Sequence, residues 1–402
     1  MRIVIPTTGT RSDVQPYIAL ALGLQRAGHQ VTLATHPVWG RLVRSRVIGF
    51  APIGPDVDIE REIARILAQS RNWASGFIGV MRFTFSLVAQ AYPDVLDLCR
   101  EADLVVVSHF SAGGAEAAGT GLPFVGVMLQ PQVLSEPDPS LPPTKRAVRV
   151  LERWAMRSMV TGPYNWVRCR AGTSAVRGIE GLMSSWLNLI PVSPLVVAPD
   201  PRWAPRHQVV GYWFLDQLLG WTPPADVEAF LDAGDPPVVV SLDNTVLGTA
   251  QGIETAQIVL DALRLAGVRA VVQGEDHAIA ALDLPAMAHR AGPVPHSWLF
   301  DRARCVVHCG TYGTTAAGLR AGIPAVVVPH GVDQFYWGRR IYELGVGPQP
   351  IPRAGLSASK LADALVQAMQ DDGMRARAAR VGEKIRAETG VRTAVRLIED
   401  SI

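Results

Sequence analysis

Cysteine and charged residues are both scarce in this chain of 402 residues. It has four cysteines, too few and too scattered for a disulfide framework, which indicates a reducing compartment. Charged residues make up 18%, and 38 Lys and Arg against 36 Asp and Glu leave a formal charge of +2. A field this weak does not indicate nucleic acid or an anionic membrane as a partner.

Long apolar runs are also absent. No stretch approaches the roughly 18 apolar residues of a membrane span. Pro6 follows only Ile3, Val4 and Ile5, which is too short for the core of a signal peptide. We therefore expect a soluble, cytoplasmic protein without a transmembrane segment. Apolar residues make up 48%, so the chain can bury a large core, and its length predicts two or three domains.

Short β-branched segments alternate with helical ones along the chain. Because these segments are apolar throughout, they indicate parallel sheets covered by helices on both faces, an α/β fold. The predicted strands cover 3–5, 31–34, 104–107, 124–127, 238–240, 268–272, 306–308 and 325–328.

A proline-dense region separates these strands into two groups. We predict an N-terminal domain over 1–205, a linker over 206–222, a C-terminal domain over 223–375, and C-terminal helices over 376–402 that pack back towards the first domain. Each domain opens with a strand, a polar loop and a helix. Because parallel sheets bind ligands beyond the carboxyl ends of their strands, we expect these loops to line a cleft between the domains.

The segment 305–324 has the plan of a phosphate site: a strand, a glycine turn, a short helix and another strand. Glycines allow a ligand to approach the backbone, and the N–H groups near Gly313 to Thr315, together with the helix dipole, favour an anion. His308, at the strand end, can donate to a phosphate oxygen. Ordinary α/β packing uses the same pattern, so the sequence alone leaves both interpretations open.

Two neighbouring segments add polar and aromatic groups. Asp333 and Gln334 follow the next strand and can bind two or three sugar hydroxyls; alternatively, Asp333 is only the N-cap of the helix that runs through Tyr342. Upstream, 294–300 combines a strand end, a turn and a helix start, where a flat base can lie against an apolar wall. The alternative is that Trp298 is ordinary core.

Asp13 follows the first strand, at the head of a helix. Its carboxylate can accept a proton from a hydroxyl that becomes a nucleophile, although contacts with helix N–H groups would make it a modest base. The alternative is that Asp13 or Ser12 is simply the N-cap. His36 and His109 also end strands, and they either line the cleft or are structural.

A metal site is not expected. Cys305, His308 and Cys309 contain the right ligand types, but neighbouring strand residues point to opposite faces and no second ligand pair is close in sequence.

Taken in order, these segments resemble the family 1 nucleotide-sugar glycosyltransferases over nearly the whole chain. They are most similar to the branch of sterol glucosyltransferases and of actinobacterial enzymes that decorate glycopeptides and other natural products. The resemblance implies the GT-B fold: two Rossmann-like domains, the first binding the acceptor and the second the donor nucleotide. It also implies transfer with inversion and without a metal. The motifs that carry it lie at 9–16, 27–36, 294–300, 308–315 and 333–338.

The resemblance also implies roles for single residues. Asp13 would be the catalytic base, and Thr10 and His109 are candidates on the acceptor side. Asn244 and Thr245 are candidates for a loop that contacts the donor. The implied donor contacts are His308, Gly310, Thr311, Gly313 and Thr314 for the diphosphate, Asp333 and Gln334 for the sugar, and Val294 and His296 for the base and ribose.

The chain departs from the family pattern at three places, one of which is Ser12 in place of a usual glycine. Tyr312 stands where a small residue is usual, and Leu242, Asp243 and Asn244 replace the usual Phe-Gly-Ser of the loop that faces the phosphates. An acid at Asp243 would oppose a diphosphate unless it turns away or pairs with an arginine. These departures leave open a catalytically silent relative that acts as a partner or activator.

The favoured function is transfer of a hexose from a UDP- or dTDP-linked sugar to a hydroxyl, or a similar nucleophile, of a small hydrophobic natural product. This would be an enzyme of secondary metabolism such as antibiotic biosynthesis. A GT-B nucleotide-sugar epimerase is the enzymatic alternative. We expect the two small molecules as partners, no nucleic acid and no cofactor, since the nucleotide sugar is a substrate. A homodimer is a candidate assembly.

Overall fold

The computed structural model describes residues 1–70, 73–108, 111–131, 134, 142–144, 147, 161–162, 164–215, 221–241, 250–274, 284–292 and 294–402. The chain divides into two compact units. The first comprises Met1–Asp58, Val80–Leu215 and Thr389–Ile402, and the second comprises Ile59–Gly79 and Asp216–Glu388.

The first unit contains a seven-stranded sheet in the order β3-β2-β1-β4-β5-β6-β7, and every neighbouring pair is parallel. All five residues of β4 are buried, as expected for a strand with helices on both faces. The strands are β1 Arg2–Pro6, β2 Gln30–Thr35, β3 Gly49–Pro52, β4 Leu104–Ser108, β5 Phe124–Val127, β6 Leu187–Ile190 and β7 His207–Val209.

Helices connect these strands. The helix Ile59–Ala68 lies in the second unit, and Trp73–Glu101 begins in the second unit and ends in the first. Further helices of the first unit are Arg11–Arg26, Gly40–Arg44, Gly114–Gly119 and Gly390–Asp400, with short 3-10 helices at Pro37–Trp39 and Ile179–Leu182. Residues 161–162 and 164–170 are also helical.

The second unit contains a five-stranded parallel sheet in the order β10-β9-β8-β11-β12. Its strands are β8 Val238–Ser241, β9 Ala270–Gln273, β10 Ala288–Ala291, β11 Cys305–His308 and β12 Ala325–Val327. Its helices are Ala225–Asp232, Ala250–Ala266, His296–Leu299, Tyr312–Ala321, Val332–Glu343, Ala358–Gln370 and Asp372–Ala387, with 3-10 helices at Phe300–Arg302 and Arg353–Gly355.

The core of the second unit lies between the sheet and its helices. Side chains of the strands pack with apolar residues of Ala250–Ala266 and Ala358–Gln370 in one buried cluster. The α/β class with two parallel sheets is therefore confirmed.

The predicted linker needs correction in its first half. Residues 207–209 form β7, which pairs with β6 and completes the first sheet, so they are not a connecting segment. The units divide between Leu215 and Asp216. Three residues of this strand are too few to show a periodic pattern, and proline-rich sequence surrounds them.

The predicted group of C-terminal helices over 376–402 also divides. The helix Asp372–Ala387 belongs to the second unit, whereas Gly390–Asp400 belongs to the first. In the first unit, Gly23 of the opening helix allows close approach of the last one, because a Cβ at Gly23 would lie 2.4 Å from Val391. Only the last helix therefore packs back on the N-terminal unit.

Candidate active site

Asp13 lies where β1 leads through a short loop into the helix Arg11–Arg26. Thr10 donates twice to Asp13 Oδ2, from its backbone N–H and from its hydroxyl, each at 2.9 Å. Thr10 is therefore the N-cap, and Asp13 is the third helical residue of a capping box. The alternative that Asp13 or Ser12 is the N-cap is wrong. The half-buried carboxylate of Asp13 is held in place by Thr10.

The loop before this helix leaves no room for a side chain at Gly9. Its φ is +129°, and a Cβ built there would lie 2.4 Å from Asp13 Oδ2. Trp39 donates from Nε1 to the carbonyl of Gly9 at 3.1 Å. Burial raises the pKa of Tyr17 on the following turn, and the charge of Asp13 adds to that rise. The loop thus fixes a carboxylate at the carboxyl end of β1.

The other strand ends of the first unit contribute less. Thr8 Oγ1 lies 3.5 Å from Ser111 Oγ, so the loops after β1 and β4 adjoin. His109 lies outside the described residues. His36 is fully buried, with Nδ1 3.3 Å from the carbonyl oxygen of Pro55, which favours the structural interpretation.

In the second unit, three neighbouring strands end on a polar residue at the same register position. Ser241 pairs with Gln273 on one side and with His308 on the other. Because register partners in a parallel sheet point to the same face, the three side chains form one row at the carboxyl edge, which we call the polar row. All three are buried. Sequence reasoning missed Ser241 and Gln273, although a polar residue closing each apolar strand was a usable signal.

His308 carries a ring N–H donor that no described residue accepts. Its Nδ1 accepts the backbone N–H of Gly310 at 3.0 Å, so the ring proton is on Nε2. Nε2 is buried and has no hydrogen-bond partner in the described part of the chain. Burial, with a smaller contribution from His296, lowers the pKa of His308 to about 3. The imidazole is therefore neutral at physiological pH and presents one N–H to a ligand.

The turn after β11 brings this histidine to a helix start. Gly310 has φ +91°, and a Cβ there would lie 2.9 Å from the carbonyl oxygen of Gln334. Thr311 is the N-cap of the helix Tyr312–Ala321, and its hydroxyl donates to that of Thr314 at 3.1 Å. Gly313 lies in the first turn, where backbone N–H groups have no partner within the helix. The turn therefore has the plan of an anion site.

Tyr312 does not stand in the turn as a bulky obstacle. Its side chain is 8% exposed and packs edge-on against Trp337, with ring centroids 5.9 Å apart. The departure from a small residue at this position is thus accommodated in the core of the second unit. The departure at Asp243 lies outside the described residues, as do the candidate donor-loop residues Asn244 and Thr245.

Gln334, rather than Asp333, completes the cap of the next helix. Gln334 Oε1 accepts the backbone N–H groups of His330 at 2.7 Å and Gly331 at 3.0 Å. Gly331 is the N-cap of Val332–Glu343, so the alternative of Asp333 as N-cap is wrong. The amide oxygen of Gln334 is committed to the cap, which leaves Nε2 as its group for a ligand. Asp333 is half-buried beside it.

In the segment 294–300, which is predicted to contact the nucleobase, the backbone of Val294 is already hydrogen-bonded. The N–H of Val294 donates to the carbonyl of Gly292 at 2.7 Å, and the carbonyl of Val294 accepts from Gln273 Nε2. His296 Nε2 lies 3.2 Å from Ser241 Oγ, which ties this segment to the polar row. Trp298 is 7% exposed and packs against Trp221, as expected for core.

The structure thus groups most of the predicted donor residues within the second unit. Gly310 lies close to the carbonyl of Gln334. Ser241 is the register partner of His308, and its hydroxyl lies 3.2 Å from His296 Nε2. Thr10 and Asp13 are together in the first unit. Within the described residues, His, Cys, Asp and Glu side chains form no group of three or more that could hold a metal ion. None of the described helices is long and apolar enough to cross a membrane.

Two family models match the chain. Residues 3–107 match the glycosyltransferase family 28 N-terminal domain. Residues 257–399 match the C-terminal domain of erythromycin biosynthesis protein CIII-like proteins.

Curated relatives align along the whole chain. It is 32% identical to O-mycaminosyltylonolide 6-deoxyallosyltransferase of Streptomyces fradiae, over 100% of this chain and 97% of that protein. It is 31% identical to sterol 3-beta-glucosyltransferase UGT80B1 of Arabidopsis thaliana, over 98% of this chain and 67% of that protein. It spans only 30% of the sterol 3-beta-glucosyltransferase of Aspergillus terreus, at 29% identity.

Solved structures share the fold. The glycosyltransferase of kitacinnamycin superposes with a TM-score of 0.75 at 19% identity, covering 100% of this chain and 98% of that one. The Streptomyces sp. SF2575 glycosyltransferase SsfS6, complexed with thymidine diphosphate, gives 0.68 at 20% identity, covering 100% and 99%.

Proposed function

Because the chain belongs to the GT-B nucleotide-sugar glycosyltransferases, in the branch of the sterol glucosyltransferases and the actinobacterial natural-product enzymes, we propose that it is an inverting hexosyltransferase. The donor would be a UDP- or dTDP-linked hexose. The acceptor would be a hydroxyl, or a similar nucleophile, of a small hydrophobic natural product. The names of the relatives, which specify a sterol and O-mycaminosyltylonolide, support this acceptor class.

The Nε2–H of His308, which no described residue accepts, is the observation that carries the proposal. A buried, neutral donor beside a glycine turn and a helix start suits a diphosphate. When the bond between the sugar and the diphosphate breaks, negative charge grows on the leaving oxygen. His308 and the first N–H groups of Tyr312–Ala321 would stabilise that charge. The same donors can replace a divalent cation at the diphosphate, which supports transfer without a metal or cofactor.

Asp13 would serve as the general base. The acceptor hydroxyl attacks the anomeric carbon from the face opposite the diphosphate, the bond from that carbon to the phosphate oxygen breaks, and the nucleoside diphosphate leaves with the electron pair. The hydroxyl proton passes to the carboxylate of Asp13. Thr10 holds that carboxylate in one orientation, as a base acting on one bound hydroxyl requires.

Asp333 and Gln334 would hold the sugar. Asp333 offers a carboxylate that accepts from hydroxyls, and Gln334 offers the Nε2 donor that its cap leaves over. The two groups together can bind neighbouring hydroxyls of one hexose, while the capped helix keeps them in place.

Calorimetry followed by a transfer assay tests the function. We expect UDP or dTDP to bind, and a hexose from the matching nucleotide sugar to appear on a member of a sterol and polyketide-aglycone panel analysed by mass spectrometry. Binding without transfer to any acceptor would favour the silent relative. A change of the sugar without an acceptor would favour the epimerase. Failure of both nucleotides to bind would refute the proposed donor.

A further inference from the structure

Gln273 is the member of the polar row that the proposed function leaves without a role. It ends β9, its side chain is 8% exposed, and it donates from Nε2 to the carbonyl of Val294. A carbonyl can only accept, so this bond fixes which end of the amide is nitrogen. The amide oxygen Oε1 is consequently placed as an acceptor.

Gln273 Oε1 is buried and has no hydrogen-bond partner among the described residues. Buried polar atoms are nearly always paired, and an unpaired one costs free energy that a ligand can recover. Among the described residues, the polar row therefore carries an unpaired acceptor at Gln273 and an unpaired donor at His308.

The spacing of the two groups suits one extended ligand. Gln273 and His308 lie on strands separated by β8 alone, so their backbones are roughly 10 Å apart at about 4.8 Å per strand. A nucleoside diphosphate separates its base from its distal phosphate by a comparable length. With the diphosphate at His308, a nucleotide that extends along the polar row would bring its base to β9.

We propose that Gln273 selects the nucleobase, its Oε1 accepting the N3–H of uracil or thymine. Both bases carry a donor at N3, whereas cytosine has a lone pair there that would face the amide oxygen. The N–H of Val294 is already bonded and its carbonyl accepts from Gln273 Nε2, so Gln273 Oε1 adds a further acceptor next to that segment. This assignment rests on the proposed function, because it requires a bound nucleotide.

A cycle of two ligands and two proteins tests the assignment by calorimetry. The ligands are UDP and 3-methyl-UDP, in which a methyl group replaces the N3 proton, and the proteins are the wild type and Gln273→Ala. The wild type should bind 3-methyl-UDP about tenfold more weakly than UDP, as expected for one buried hydrogen bond. Gln273→Ala should bind UDP about tenfold more weakly than the wild type and bind both ligands within about twofold of each other. Gln367→Ala, an exposed glutamine of the same unit, is the matched control and should behave as the wild type.

The outcomes separate this assignment from the proposed function. Equal binding of UDP and 3-methyl-UDP by the wild type would overturn the assignment and leave the function standing, and this arm needs no variant. A methyl effect that persists unchanged in Gln273→Ala would also overturn it. If the affinity lost in Gln273→Ala instead follows the ribose 2′-hydroxyl, measured with 2′-deoxy-UDP, Gln273 contacts the ribose and the base assignment is wrong. Failure of every nucleotide to bind the wild type would remove the function and the assignment together.

Discussion

Replacing His308 by asparagine should weaken binding of an intact nucleotide sugar by about 10- to 150-fold. Asparagine places its Oδ1 near the position of Nδ1, so the variant keeps an acceptor for the N–H of Gly310, now 3.0 Å from Nδ1. It loses the Nε2 donor, which is buried and unpaired among the described residues. A hydrogen bond to a charged group is worth about 1.5–3 kcal/mol, and about 1.4 kcal/mol corresponds to a factor of ten in affinity.

The ratio of the wild-type affinity for the nucleotide sugar to that of His308→Asn should also be independent of pH between about pH 5.5 and 8. Burial, with a smaller effect of His296, lowers the pKa of His308 to about 3, so the ring is neutral throughout this range. UDP-glucose is the preferred probe because the terminal phosphate of free UDP itself titrates near about pH 6. Isothermal titration calorimetry at several pH values gives both affinities.

His289→Asn is the matched control. His289 lies in the same unit, with Nε2 3.0 Å from Asp226, and its replacement should leave the affinity unchanged. A folded His308→Asn variant that binds UDP-glucose within about twofold of the wild type would refute the donor role. A ratio that grows as the pH falls through about 6.5 would show that a charged imidazole binds the diphosphate, contrary to its burial.

Four further outcomes are expected. Asp13→Asn should lower turnover by about 10²–10⁴-fold with UDP affinity unchanged, and near-normal turnover would reduce Asp13 to a helix cap. Asp333→Ala should weaken binding of UDP-glucose more than binding of UDP, since only the intact donor presents hexose hydroxyls. Equal losses of affinity for the two ligands in calorimetry would contradict the sugar contact. Val47 has φ 59° and is 86% exposed, so Val47→Asn should raise the free energy of unfolding in urea by about 1 kcal/mol, and a decrease would show that the backbone there is unstrained. The depressed pKa of His308 means that its contribution to stability is complete above about pH 6.5 and is lost as the pH falls towards about 3. At pH 5 the free energy of unfolding of the wild type should therefore be lower by about 2 kcal/mol than above about pH 6.5. His308→Asn should not show this decrease.

Eight of the twelve described strands could be predicted from the sequence, because burial on two faces demands continuous apolar residues. The strands β3, β6, β7 and β10 could not. β6 is buried, but Asn188 interrupts its apolar residues. β3, β7 and β10 contain glycine, proline, histidine or arginine and are only partly buried. Their strand conformation depends on pairing with a neighbour, which is a tertiary effect that local propensity does not contain.

The motifs supplied the candidate site residues, but the environment of each side chain required the structure. The order β9-β8-β11 brings Gln273, Ser241 and His308 into one row, although they are distant in sequence. The tautomer of His308 depends on the N–H of Gly310, and the inward direction of Tyr312 depends on Trp337. Such pairings between distant segments are not encoded in any local pattern.

The capping role and the functional role of these residues are compatible, and this determines how variants should be interpreted. Asp13 and Gln334 are each the third residue of their helix, and each uses one oxygen to accept two donors before the first turn. Truncation of either side chain therefore removes a cap worth about 1 kcal/mol together with any contact to substrate, and the two losses cannot be separated. An amide at position 13 still has an oxygen that accepts from Thr10, but it cannot take up a proton at neutral pH. Loss of turnover in Asp13→Asn, with an unchanged melting temperature, would therefore report on proton transfer and not on the helix.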